Sequence, residues 1–148
     1  MMSGCAWCKK TALLVCSNCK MVKYCCRDHQ IEDYNDHKNL CKELKKATAK
    51  KDKEEHKLHE HPEGDHFVDW YVGRFWGLHD TRPYMRARME VIRLLELIGT
   101  KLSLSAAVVH IRNCLRLCRG DNLGLRYLAP ALMLRIGQDQ ESYDFIKW

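Results

Sequence analysis

YCCRDHQIEDYNDHKNLC, Tyr24 to Cys41, sets two cysteines side by side, follows them with His29, and closes on His37 and Cys41. Cys25 to His29 and His37 to Cys41 are both steps of four, the spacing that puts two metal ligands on one face of a helix. Cys26 to His29 is a step of three with no counterpart in the other pair. Cys25 is therefore the expected ligand. Cys26, one position further round the helix, is expected to point away as a small packing residue or a partly exposed thiol.

Working outward, two further pairs precede this stretch, Cys5 with Cys8 and Cys16 with Cys19. The C-x2-C spacing lets a tight turn aim two sulfurs and nearby backbone N–H groups at one ion. Each of the four pairs supplies half a tetrahedron, so residues 5–41 predict two zinc ions with every ligand used. Spacing alone allows three groupings of the halves. The alternative, buried thiols beside surface histidines, leaves eight ligand-type residues in paired spacing without a reason.

Seven of the nine cysteines lie between Cys5 and Cys41. The opening MMSGCAWCKK has no apolar segment of the secretory kind, so reduced thiols and an intracellular setting, nucleus or cytoplasm, are expected. Apolar runs such as Ala12 to Val15 fall far below the roughly 18 residues of a membrane helix, and no membrane partner is expected. The 148 residues, 46% hydrophobic, fit one domain or two small ones. Six ligand thiolates and two zinc ions bring the formal charge from +6 to +4, a mild basicity that gives no reason to assign nucleic-acid binding. Of the first 13 basic residues 12 are lysine, and of the remaining 12 ten are arginine, so two segments with different surfaces are implied.

The strand-like ALLV and MVKYC predict a small hairpin between the cysteine pairs. From about Asp28 to Lys57 the pattern is helical, and KELKKATAKKDKEEHK interleaves Lys with Glu as a solvated helix does, either a linker or an extension of the last zinc helix. Pro62 and Gly64 mark a boundary. The predicted organisation is residues 1–45 as a two-site zinc unit, 46–65 as a charged helical extension or linker, and 66–148 as a helical domain. Within the last, Met85, Met89, Ile92, Leu95 and Ile98 recur at helical intervals up to Gly99. A second helix is expected from about Ser103, with Leu104, Val108, Ile111, Leu115 and Cys118 on one stripe. A third runs near Leu125 to Ile136, kinked at Pro130 or restarting with Pro130 in its first turn. A short last helix is capped by Asp139 and ends at Trp148.

Other chemistry-bearing residues have plainer readings. Cys114 and Cys118 fall on an aliphatic stripe and are expected to be core thiols. His56, His59, His61 and His66 form a loose cluster able to hold a transition metal weakly, against the reading of a polar linker titrating near neutral pH. Trp70, Tyr71, Phe75 and Trp76 are expected to be a helix-packing cluster rather than a ligand pocket.

The cysteine and histidine pattern of residues 5–41 resembles the MYND-type zinc finger throughout. The resemblance implies a small zinc-stapled ββα-type finger, here followed by a mainly α-helical domain. It also implies interleaved sites: Cys5, Cys8, Cys25 and His29 on the first zinc, and Cys16, Cys19, His37 and Cys41 on the second. Gln30 and Tyr34 fall where the family commonly has a glutamine and a tryptophan lining a peptide site. A protein partner is thereby implied, in the form of short, often proline-containing peptides. Cys26 replaces the usual serine. Downstream, VDWYVGRFWGLHDTRPYMRAR and CLRLCRGDNLGLRYLAPALMLRIGQDQESYDFIKW resemble the helical region of fungal MYND-finger proteins.

Each expected zinc has four protein ligands and no open position, so the zinc is structural and no enzyme is expected. Residues 5–41 have few large apolar side chains, chiefly Trp7, Leu13, Leu14, Val15, Met21, Val22 and Tyr24, and metal must supply the missing stability. The leading expectation is an adaptor, its finger binding a peptide and its tail contacting a partner or the finger. A nucleic-acid-associated zinc protein is the alternative, resting on Lys20, Lys23, Lys38, Lys42, Lys45 and Lys46. It is weakened by interspersed acids and by the absence of an aromatic platform among those lysines. A fragment of a SET-type methyltransferase ranks below both, because the tail offers no cofactor-binding motif.

Overall fold

The computed structural model describes residues 4–68 and 70–147. Two short strands, β1 (Leu14–Val15) and β2 (Lys23–Tyr24), pair antiparallel with Leu14 opposite Tyr24 and Val15 opposite Lys23. Six helices follow among the described residues: α1 (Arg27–Glu32), α2 (Tyr34–His59), α3 (Arg82–Ile98), α4 (Lys101–Leu117), α5 (Leu125–Arg135) and α6 (Asp139–Ile146). The architecture is a small hairpin-and-helix finger leading into a helical array.

The predicted helix from Asp28 is broken at Asp33. That residue ends α1 and precedes α2, and its carboxylate accepts a 2.6 Å hydrogen bond from the Tyr24 hydroxyl. The break lets one short and one long helix aim His29 and His37 separately. α2 then runs 26 residues without interruption. Its Lys/Glu pattern is only partly solvated. Cys41, Leu44, Ala47 and Leu58 are buried, and Lys51 and Glu55, on the same stripe, are half-buried against α3. Lys51 bonds Glu55 at 2.7 Å, and Glu55 accepts from the Tyr84 hydroxyl of α3 at 3.0 Å.

Successive helices from α2 to α6 pack on one another. α3 begins with Pro83 in its first turn and ends on Gly99, whose φ of 68° is the left-handed conformation that favours glycine at a helix end. Thr100 then caps α4, which starts at Lys101 rather than near Ser103, because the Thr100 hydroxyl accepts from the Ser103 N–H at 3.1 Å. A single hydrophobic core runs through finger and tail, from Cys5 through Val22, Tyr24 and Leu44 to Ile92, Leu104, Ile111 and Leu132.

Several sequence expectations need correction. The helix does not restart with Pro130 in its first turn: Pro130 lies inside a continuous α5, because the start of this helix is set upstream, where the Asp121 carboxylate accepts from the N–H groups of Leu125 and Arg126 at 2.8 and 2.9 Å. Asp139 occupies the first helical position of α6 and does not cap it; a carboxylate there still complements the helix dipole. The predicted end of that helix at Trp148 lies outside the described residues. Trp70 is 84% exposed and does not join the aromatic cluster, which is built instead from Phe67, Phe75 and Tyr84. Cys114 and Cys118 are buried as expected. Among the described residues no helix is long and apolar enough to cross a membrane.

Candidate metal centres

Two turns carry the C-x2-C pairs, and they are built alike. Lys9 N–H donates to the Cys5 carbonyl at 3.0 Å and Lys20 N–H to the Cys16 carbonyl at 2.9 Å. The residue after the second cysteine is left-handed in both, Lys9 at φ 64° and Lys20 at φ 59°. Such turns direct backbone N–H groups toward sulfur, as where Met21 N–H donates to Cys19 Sγ at 3.5 Å. The Asn18 amide donates to Cys41 Sγ at 3.0 Å.

The first turn meets the start of α1. Cys5, Cys8, Cys25 and His29 bring one donor atom each within 4.8 Å of one another. Cys8 and Cys25 sulfurs are 3.6 Å apart, and His29 presents Nδ1 at 3.8 Å from Cys5 Sγ and 3.0 Å from Cys25 Sγ. The second turn meets α2, where Cys16, Cys19, His37 and Cys41 converge in the same way. Cys16 and Cys41 sulfurs are 3.8 Å apart, and His37 presents Nε2 at 3.4 Å from Cys19 Sγ. Ligand pairs thus alternate between the sites along the chain, the interleaving that the resemblance implied. Cys26 sits at the N-cap of α1, outside both clusters, with its sulfur 3.8 Å from that of Cys25.

These donors fit zinc. A tetrahedral ion with Zn–S bonds of about 2.3 Å has S···S edges of about 3.8 Å, close to the observed separations. Thiol chemistry points the same way. Burial pushes Cys5 and Cys16 up, yet hydrogen bonds outweigh it and bring both down to about 6, chiefly from the backbone N–H groups of Cys8, Cys25 and Trp7 for Cys5 and from the Cys19 backbone, the His37 ring and the Asn18 backbone for Cys16. Burial and neighbouring sulfurs push Cys19 and Cys25 up to about 12. Crowded sulfurs cannot all be anionic at neutral pH without a cation among them, and a divalent ion resolves that conflict. Zinc would be held by all eight residues, and it supplies cross-linking rather than an open coordination position.

Of the apolar residues named for this unit, only Val22 and Tyr24 are fully buried. Trp7, Leu13, Leu14 and Val15 are exposed. The interior of the finger is therefore mostly metal ligands. Gln30 is half-buried on α1, and Tyr34, at the start of α2, is 59% exposed with the Lys38 ammonium 5.4 Å from its ring centre.

The histidine-rich segment forms no further ligand cluster among the described residues. His56 pairs with Glu60, and His59 bonds Asp65 at 2.9 Å while stacking on Phe67. His66 is buried, stacked on Tyr71 with ring centres 4.6 Å apart, so it packs and does not belong to a solvated linker.

Two functional contacts escaped sequence reasoning. Asn18 inside C-S-N-C is a local donor whose amide the sequence displays between two ligand cysteines, whereas the Thr100 bond to the finger joins positions with no sequence relation.

Comparison with known proteins agrees with this geometry. A family model described as the MYND finger matches residues 5–41, so this segment is a MYND finger, generally a zinc-binding protein-interaction module. Neither the curated proteins nor the solved structures contain a match to the chain.

Proposed function

We propose that this chain is a non-catalytic intracellular adaptor whose finger receives a short, proline-containing peptide over Tyr34 and Gln30. The observation that carries the reading is the exposed Tyr34 ring, three residues before the ligand His37 on α2. An aromatic face held by a metal-fixed helix offers proline a flat apolar surface at little entropic cost. Exposed Trp7, Leu13, Leu14 and Val15 on the same small unit add apolar area. Eight protein ligands for two ions leave no position for substrate, which supports a binding role over catalysis. Reduced ligand thiols support an intracellular setting, nucleus or cytoplasm. The helical tail shares its core with the finger, and so bears on how the finger is held.

The test is titration of the zinc-loaded chain with proline-containing peptides, following amide resonances. Selective shifts at Gln30 and Tyr34, lost in Tyr34→Ala and kept in Tyr34→Trp, are expected. Peptide binding that is indifferent to both substitutions would remove Tyr34 from the site.

A further inference from the structure

The tail carries a surface that the adaptor reading does not use. From Leu97 to Gln138 the sequence holds six basic residues and one acid, Asp121. Both oxygens of that acid are engaged in capping α5. α4 has no acidic residue at all. Arg112 and Arg116 are exposed one helical turn apart, and Arg119 follows just past the helix end. No ion pair among the described residues takes Arg74, Arg112, Arg116 or Arg119.

This arginine row ends in a cleft of about 530 Å³ lined by Trp70, Val72, Gly73, Arg74 and Arg119. Its geometry is held by backbone. Gly73 N–H donates to the Leu117 carbonyl at 2.9 Å, and Arg119 N–H donates to the Gly73 carbonyl at 3.1 Å. Gly73 has φ 94°, and a Cβ there would lie 3.1 Å from Nε of Arg119, so the arginine stem rests directly on the glycine. Arg126 fixes the same corner by donating to the Arg119 carbonyl at 2.8 Å. Trp76 is covered by the guanidinium groups of Arg82 and Arg86, at 5.7 and 5.9 Å. The Trp70 indole is open to solvent.

We propose that this face binds single-stranded nucleic acid, its phosphates following Arg112, Arg116, Arg119 and Arg74 and a base stacking on Trp70. Guanidinium groups that pair with no carboxylate among the described residues match a polyanion, and an exposed indole beside them matches an unstacked base, which duplex does not offer. Among the finger lysines Lys38 lies over the exposed Tyr34 ring, but those lysines alternate with acids, whereas the tail sets an exposed indole beside an arginine row whose one nearby acid is occupied in capping.

The experiment is fluorescence anisotropy of the full, zinc-loaded chain with labelled oligouridylate and oligothymidylate of about ten nucleotides, across a salt series. Expected are binding that weakens steeply with salt and quenching of tryptophan emission. Trp70→Ala should weaken binding about five- to a hundredfold. Arg74→Gln with Arg119→Gln should lower the slope of log affinity against log salt by about 1.4. Lys42→Gln with Lys45→Gln on α2 should leave it unchanged. Matching thermal unfolding of every variant establishes that the fold is intact. No binding at low salt, binding indifferent to the tail substitutions, or loss on changing the finger lysines would overturn the proposal. So would an acidic peptide of equal charge that competes as well as the oligonucleotide, which would give the face to an acidic protein instead.

Discussion

Thr100 donates its hydroxyl hydrogen to the carbonyl of Met21 at 2.6 Å, across 79 positions of chain. The same hydroxyl accepts from Ser103 N–H and so caps α4, while Met21 N–H donates to the zinc-ligating Cys19 sulfur. One side chain thus joins the start of a tail helix to the turn that holds the second metal. Thr100→Val removes cap and clamp together and should cost about 2 kcal/mol, the sum of an N-cap and one half-buried hydrogen bond. Thr100→Ser should retain most of it. Chemical denaturation of the zinc-loaded protein measures both, and the valine variant should also release zinc faster to a chelator.

Cys25 and Cys26 are adjacent, but only Cys25 belongs to a cluster. Elemental analysis of Cys26→Ser should return two zinc equivalents, and of Cys25→Ser one. Chelation of the wild type should abolish the dispersed amide resonances of residues 5–41, because an interior built from ligands has little else to hold it. The α3–α6 array, with its own apolar contacts, should keep most of its helical circular dichroism.

His110 on α4 accepts from Arg88 Nε at 3.3 Å, and it can do so only when neutral. Burial, and then the positive charge of Arg88, lowers the imidazole to about 4. The unfolded chain, with histidine near its ordinary value of about 6.5, takes up the proton first. Stability from this group is therefore complete above about pH 6.5 and lost as pH falls toward 4. The loss should stay below about 1.4 kcal/mol per pH unit, since solvent reaches part of the ring. His110→Asn, which accepts a hydrogen bond but does not titrate, should flatten the stability profile between pH 6.5 and 5 while zinc content is followed in parallel. An unchanged slope would place the titration elsewhere.

Lys20 holds φ 59° without a β-carbon-free side chain to make that comfortable. Lys20→Gly should stabilise the zinc-loaded protein by up to about 1 kcal/mol, read as a higher denaturation midpoint. The equivalent change at Lys9 should gain less, because the Lys9 ammonium donates to the Ala6 carbonyl at 2.8 Å and that bond would be lost.

What the sequence determined by itself is what repeats over short distances. Two C-x2-C turns and two four-residue steps picked out the eight residues that converge, and Cys25 over Cys26, because chelation by neighbours depends on local spacing; but only His37 and Cys41 share a helix face, since Cys25 lies ahead of the extended N-cap Cys26, outside α1. Apolar periodicity located α3, α4 and α5 for the same reason. The pairing of the ligand halves entered through the family pattern, and it is now visible in the convergence of Cys8 with Cys25 and of Cys16 with Cys41.

Tertiary structure alone decided the rest. The Lys/Glu run of α2 reads as a solvated helix until α3 comes to lie on it and half-buries Lys51 and Glu55 beside Tyr84. Trp70 and Phe75 look alike in a list of aromatics, yet one faces water and the other the core, because the backbone bridge at Gly73 turns the chain between them. His66 is buried by Tyr71 and His61, partners supplied by a loop that folds back on the end of α2. Such contacts depend on which surfaces meet after the helices dock, and no periodicity in a single segment records the shape of its neighbour.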